Sequence, residues 1–211
     1  MPAMVDSVAQ ASAAVALPRP RTDSGFSIER ALHGRRSARE FRNAALTQEE
    51  VAQLLWAGQG VTSREGLRTA PSAGALYPLE LYLALGRVQG LEAGIYKYVA
   101  PGHRLVPVVP GDARRELAEA ATAQDFVAQA AVVLVFAAAE ARTTRKYGRR
   151  GVRYVHFEVG HAAQNVALQA AALGLGTVTV GAFDDDRVGE LLVLPEGEAP
   201  LYIMPLGRPR V

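Results

Sequence analysis

Apolar positions along this chain change period several times, and each change predicts an element. Val51, Leu54 and Leu55 fall on one helical face. Just ahead of them, Thr47-Gln48-Glu49-Glu50 reads as a capping box, a Thr N-cap followed three residues later by Glu. The helix it opens ends near Gly58-Gln59-Gly60, and a shorter helix is expected from Ser27 to about Gly34. Residues 61–79 have no period and are broken by Gly, Pro and Ser, so they read as a long loop, a feature that is often functional inside a compact domain. Glu80–Leu85 alternates as a strand does. Ile95–Val99 and Leu105–Val109 are two more strands, with Pro101-Gly102 turning between them. Asp112 is placed to cap a helix running to about Ala121. Ala131–Ala137 is an unbroken apolar run, the pattern of a central strand.

Glu140–Arg150 is polar and reads as a helix or loop. Val152–Leu173 is the longest periodic segment; as a helix it would span roughly 33 Å. Its middle is small (Gly160, Ala162, Ala163, Ala167, Ala170), which lets another helix approach closely and suits a dimer core. Gly174 and Gly176 stop it. Thr177–Val180 reads as a strand, Asp184–Leu192 as a short helix and Leu201–Leu206 as a final strand. The alternation gives an α+β class.

Composition narrows the function. The 211 residues fit one domain, and 49% of them are hydrophobic, enough for a real core. A formal charge of +2 argues against a broad nucleic-acid or membrane field. The absence of Cys excludes disulfides, thiolate metal sites and cysteine nucleophiles. The first 25 residues are rich in Ala, Pro and Ser and have no basic start ahead of an apolar run, so they read as a flexible arm and not a signal peptide. With no apolar stretch of about 18 residues, a cytoplasmic protein is expected.

Three distant segments carry chemistry. In Arg35-Arg36-Ser37-Ala38-Arg39, an extended chain puts Arg35, Ser37 and Arg39 on one face, where three donors suit a phosphate; a solvated charged surface would look the same. Pro71-Ser72-Ala73-Gly74 is a run of tiny residues that lets backbone approach a flat ligand, or forms an ordinary turn. Val180-Gly181 ends a strand, where ligands often sit, though a simple turn glycine explains it as well. His156, Glu158 and His161 lack the i, i+4 spacing of a zinc pair, so no metal is expected and these residues read as facing a subunit interface or solvent. Phosphate-loop, dinucleotide-fingerprint and serine-elbow motifs are absent.

Taken in order, the segments resemble the flavin-dependent nitroreductase superfamily. The residues that carry the resemblance are Arg35–Phe41, Leu54–Gly60, Arg68–Glu80, Glu158–Asn165, Leu173–Gly176, Val180–Asp184 and Pro205–Pro209. The closer likeness is to its dehydrogenase branch, which includes azoline oxidases. The resemblance implies a nitroreductase-like domain over residues 26–211, with a central, mainly antiparallel sheet in an intertwined homodimer. It implies FMN held by both chains. Arg35, Arg36, Ser37, Arg39 and Arg208 would hold the phosphate and ribityl chain. Pro71, Ser72, Ala73 and Gly74 of the second chain would lie along the ring, and Val180 and Gly181 over it. Many relatives carry an acid where Val180 stands. Lys146-Tyr147 resembles the pair that removes a proton in azoline oxidases, although a solvated helix end fits too. The implied activity is ping-pong transfer from NAD(P)H or an organic donor to a small nitro, quinone or azoline acceptor. Its rivals are a flavin carrier or flavin-processing protein and a peptide-tailoring azoline oxidase.

Overall fold

A computed structural model describes residues 14–210. Its strands are β1 (Val15–Ala16), β2 (Leu79–Leu85), β3 (Gly94–Val99), β4 (Arg104–Pro110), β5 (Val132–Ala138), β6 (Gly176–Thr177) and β7 (Ala199–Gly207). They form one sheet in the order β1-β4-β3-β2-β5-β7-β6, and each neighbouring pair is antiparallel. The helices are α1 (Ile28–Gly34), α2 (Gln48–Gln59), α3 (Arg114–Ala120), α4 (Asp125–Gln129), α5 (Ala141–Tyr147), α6 (Arg150–Ala172) and α7 (Asp185–Leu192).

All of β5 is buried. Leu134 and Phe136 point into the layer of α2 and α6, while Val133 and Val135 point into the layer of α3, α4 and α7. Helices on both faces explain the unbroken apolar run in a strand that pairs antiparallel, since each side chain has a core to enter whichever way it points. The Thr47 capping box is present: Thr47 Oγ1 accepts from the Glu50 N–H at 3.2 Å, and Glu50 Oε2 accepts from the Thr47 N–H at 2.9 Å. Asp184 caps α7 by accepting from the Arg187 N–H.

Four expectations change. The small residues of α6 face inward: Ala162, Ala163, Ala167 and Ala170 are buried within the chain's own core. The close approach they permit is to α2, where a Cβ on Gly58 would lie 3.2 Å from Val166 Cγ2. The outward face carries His156, Phe157, Gly160, His161 and Gln164, so a dimer contact on α6 cannot use Ala163. Asp112 serves α3 from one residue further out than expected: Ala113 is the N-cap residue and makes no side-chain bond, while Asp112 Oδ1 accepts from the Arg114 N–H at 3.2 Å and the carboxylate also clasps the buried Arg114 guanidinium, which donates to the Ala130 carbonyl. The Thr177–Val180 strand shrinks to Gly176–Thr177 plus a lone bridge from Val180 to Ile203, because this is the sheet edge and Thr179 is exposed. Of the expected arm, residues 1–13 lie outside the described residues; from Val15 on the chain is attached, with β1 on β4, Leu17 buried, and Gln53 accepting from the Arg21 N–H at 2.8 Å.

One splice positions the arginine segment. Residues 40–42 run antiparallel to 208–210: the Arg42 N–H donates to the Arg208 carbonyl at 2.8 Å and the Arg210 N–H to the Glu40 carbonyl at 3.0 Å. Phe41 is buried beneath it, and a Cβ on Gly207 would meet Phe41 Cδ1 at 3.0 Å. Phe41→Ala is expected to destabilise the chain by about 3–5 kcal/mol, read as a lowered urea midpoint; a loss under about 0.5 kcal/mol would show that the ring is not an anchor.

Candidate functional site

Of the three chemical segments only the arginine run lines the main groove, where Pro209 and Arg210 join it; residues 71–74 and Val180-Gly181 do not line it. A groove of about 670 Å³ is lined by Arg35, Arg36, Ser37, Ala38 and Arg39, by Gly174 to Thr177, and by Pro209 and Arg210. The Ala38 N–H donates to the Thr177 carbonyl at 2.9 Å, and Ser37 bridges Thr177. Gly176 is small for a reason: a Cβ there would lie 2.7 Å from the Ala38 methyl and 3.1 Å from Pro209 Cβ. The four guanidinium groups differ in what they already hold. Arg36 Nη1 donates to the His33 and Arg35 carbonyls at 3.0 and 2.8 Å, closing the end of α1. Arg39 lies 5.9 Å from the Phe126 ring centre. Among the described residues neither Arg35 nor Arg210 makes a side-chain ion pair.

Arg208 points elsewhere. Its Nη2 lies 2.7 Å from Glu50 Oε1, the carboxylate of the capping box, and it does not line the groove. Arg210, two residues on, does. Period-two alternation would put Arg208 and Arg210 on one face, so it gives no signal for separating them; the ion pair with Glu50 is what turns Arg208 away. Val180 is buried and Gly181 exposed, with only Tyr202 Cε2, at 3.6 Å, near where a Cβ would stand.

Pro71, Ser72 and Ala73 stand apart from the groove. They line a second cavity, of about 270 Å³, together with Tyr154, Phe157, Glu158 and His161 of α6. The loop is held at both ends. Arg68 Nη1 donates to Gln59 Oε1 at 2.7 Å, and the Thr69 hydroxyl donates to the Trp56 carbonyl at 2.9 Å. At the other end Glu80 pairs with Arg142 at 2.5 Å and Lys97 at 3.1 Å. Between these anchors Gly74, Ala75 and Tyr77 all have positive φ (65, 53 and 46°). Such conformations cost on the order of 1–3 kcal/mol each for residues other than glycine and collect at functional sites. Gly74 also makes room for α5: a Cβ would lie 2.8 Å from the Tyr147 hydroxyl and 2.9 Å from Lys146 Nζ. Lys146 and Tyr147 therefore sit against the strained loop, with Tyr147 packed edge-on to Tyr154 at 5.2 Å.

Glu158 overturns its expected place. It is 2% exposed, and its Oε1 has no hydrogen-bond partner among the described residues. Burial pushes its carboxyl up to about 7, against hydrogen bonding from Ser72 and the charge of Arg68. Its placement was legible in principle, because Val155, Glu158, Val159 and Ala162 share the i, i+3, i+4, i+7 face that α6 buries. His156 and His161 are exposed, and among the described residues no group of three or more metal-binding side chains exists.

The raised Glu158 carboxyl makes stability depend on pH. Between its ordinary value of 4.5 and about 7, the folded chain keeps a proton that the unfolded chain has lost, so stability falls as pH rises through that window. Glu158→Gln is expected to remove this loss, raising the urea midpoint at pH 8 relative to wild type with little change at pH 5. The gain is on the order of 1–2 kcal/mol once solvent screening is allowed for. Equal effects at both pH values would contradict it.

The family profile described as the Nitroreductase family matches residues 32–208. A Methanocaldococcus jannaschii protein named as a nitroreductase is 50% identical over 183 residues, 87% of this chain and 91% of that one. A Ralstonia eutropha JMP134 structure also named as a nitroreductase superposes with a TM-score of 0.84 at 30% identity, covering 97% of this chain and 93% of that one. The NADPH:FMN oxidoreductase of Vibrio harveyi, solved with NAD+, gives a TM-score of 0.64 at 26% identity over 87% of this chain and 69% of that one. No described helix is long and apolar enough to cross a membrane. With its groove, its strained loop and these relatives, this chain belongs to the nitroreductase family and is an oxidoreductase of that flavin-dependent group.

Proposed function

We propose that the chain binds FMN between two copies of itself and passes electrons, in a ping-pong cycle, from NADH, NADPH or an organic donor to a small organic acceptor. The observation that carries this reading is the separation of the two half-sites along α6. The arginine groove meets Ala167 and Ala171 near its C-terminal end, and the 71–73 cavity meets Tyr154 to His161 near its N-terminal end. Ten or so helical residues put them roughly 15 Å apart along the axis. A second copy can bring its loop to the first copy's groove. The exposed Ile28 and Leu32 of α1 and Phe157 of α6 are apolar positions for it to cover.

The residues present fit the group. The groove falls in the usual size range of ligand pockets, and Arg35, Arg39, Arg210 and Ser37 are donors suited to a phosphate dianion. Exposed Gly181 leaves a flat ring free to approach its N–H. Bound FMN would supply the hydride-accepting and hydride-donating centre. Nearby arginine charge favours a reduced, anionic ring, and the open cavity beside Phe157 admits donor and acceptor in turn. Arg36 and Arg208 support this set from behind, Arg36 by closing α1 and Arg208 by holding Glu50. A second reading, oxidation of azoline-type substrates, is favoured by Lys146 and Tyr147 against Gly74, where either could take a substrate proton. A turnover screen with nitroaromatics, quinones and azoline peptides separates the two, since only the second requires Lys146 and Tyr147.

Arg35→Ala and Arg39→Ala are each expected to weaken FMN binding about 10- to 100-fold in fluorescence titrations, the loss of a charged hydrogen bond. Arg210→Ala should weaken it more than Arg208→Ala; the reverse order would return the phosphate to Arg208. Phe157→Asp should shift sedimentation toward monomer and release the flavin together. A colourless dimer, or a monomer that keeps FMN, would contradict a shared site.

A further inference from the structure

Glu158 has no part in electron transfer as described, yet it lies beneath the residue proposed to face the ring. The inference drawn from it rests on the flavin reading, in that Ser72 faces the cofactor. The Ser72 hydroxyl already accepts the Tyr77 N–H at 2.9 Å. A hydroxyl has one proton and two acceptor sites, so one proton and one lone pair are left. Two directions compete for them: Glu158 on the protein side and the cavity that Ser72 and Glu158 both line. Glu158 Oε1, buried and unpartnered, gains most by hydrogen bonding in that direction.

We propose that Glu158 is a positioning residue for the flavin: protonated, it donates to Ser72 Oγ and leaves the Ser72 proton free for an acceptor on the ring edge; ionised, it draws that proton inward and withdraws the donor. Both forms are populated near neutrality, because burial lifts the carboxyl to about 7. Other charged and titratable groups face the same cavity and loop. Arg68, held by Gln59 and stacked 4.5 Å over Tyr77, favours the ionised form. Tyr154 and His161 share α6 with Glu158, and Lys146 and Tyr147 close over Gly74 from α5. His161 lines the same cavity and serves as the control for Glu158.

The test is FMN titration by fluorescence with the full chain between pH 6 and 8.5, for wild type, Glu158→Gln, Ser72→Ala and His161→Asn, with thermal melts to confirm folding. The phosphate itself titrates near pH 6, but it does so in every protein, so affinities are compared as ratios to wild type at each pH. The Gln side chain donates at every pH. Glu158→Gln should therefore match wild type at pH 6 and bind FMN about three- to tenfold more tightly than wild type at pH 8.5, one neutral hydrogen bond's worth. Ser72→Ala should lose the pH-dependent step around pH 7, and His161→Asn should retain it. A Glu158→Gln ratio that stays flat across the range, or loss of the step in His161→Asn, overturns the role of Glu158 while leaving the flavin reading intact. No FMN binding by any of the four proteins overturns both.

Discussion

A single rigid helix sets the terms for the rest of this molecule. α6 runs 23 residues and packs so closely on its own core that a Cβ on Gly58 of α2 would lie 3.2 Å from Val166 Cγ2, tighter than ordinary contact. It therefore cannot bend to bring its two ends together. The arginine groove lies toward one end and the 71–73 cavity toward the other, and the two share no lining residue. In the proposed dimer a second copy would bring its loop to the groove without moving the helix, with the outward face that carries Phe157 and Gly160 at the contact.

Within each half, local order comes from small residues at crowded crossings. Gly207 lies over Phe41, Gly176 between Ala38 and Pro209, and Gly74 under Lys146 and Tyr147. These close approaches convert segments 130 residues or more apart in sequence into one groove wall and join α5 to the loop. The charged residues then divide the work. Arg36, Arg208, Arg142 and Lys97 hold carbonyls and carboxylates of the scaffold, whereas Arg35 and Arg210 make no side-chain ion pair among the described residues. Unpartnered cations converging on a groove are what an anionic ligand needs.

Much of this was legible in the sequence. The capping box at Thr47, the cap at Asp184 and the core strand at residues 132–138 depend on neighbours a few residues away, and local pattern reports such neighbours well. The meeting of Arg35, Ser37 and Arg39 with the chain's C-terminal residues was legible only through resemblance, because the splice of residues 40–42 on 208–210 is a long-range pairing. What pattern missed has physical reasons. Arg208 and Arg210 are chemically alike and share a face by alternation, so only the long-range pairing of Arg208 with Glu50 tells which one the groove meets. Ala163 looked like an interface residue because a small stripe shows that something packs closely but not whether it belongs to the same chain. Glu158 reads as facing an interface or solvent when grouped with His156 and His161, although its apolar neighbours Val155, Val159 and Ala162 on the same helical face mark it as buried.

The most direct measurement of a site shared between copies is complementation. Arg35→Ala/Arg39→Ala chains lack a working groove, and Gly74→Val chains lack a working loop. Each should purify with little FMN. Co-expressed under two tags and isolated by both, they form a mixed dimer in which one groove and one loop, from different chains, are intact. Recovery of close to one FMN per mixed dimer is expected. A doubly tagged dimer that stays colourless, or Gly74→Val homodimers that bind FMN fully, would contradict assembly of the site from two chains.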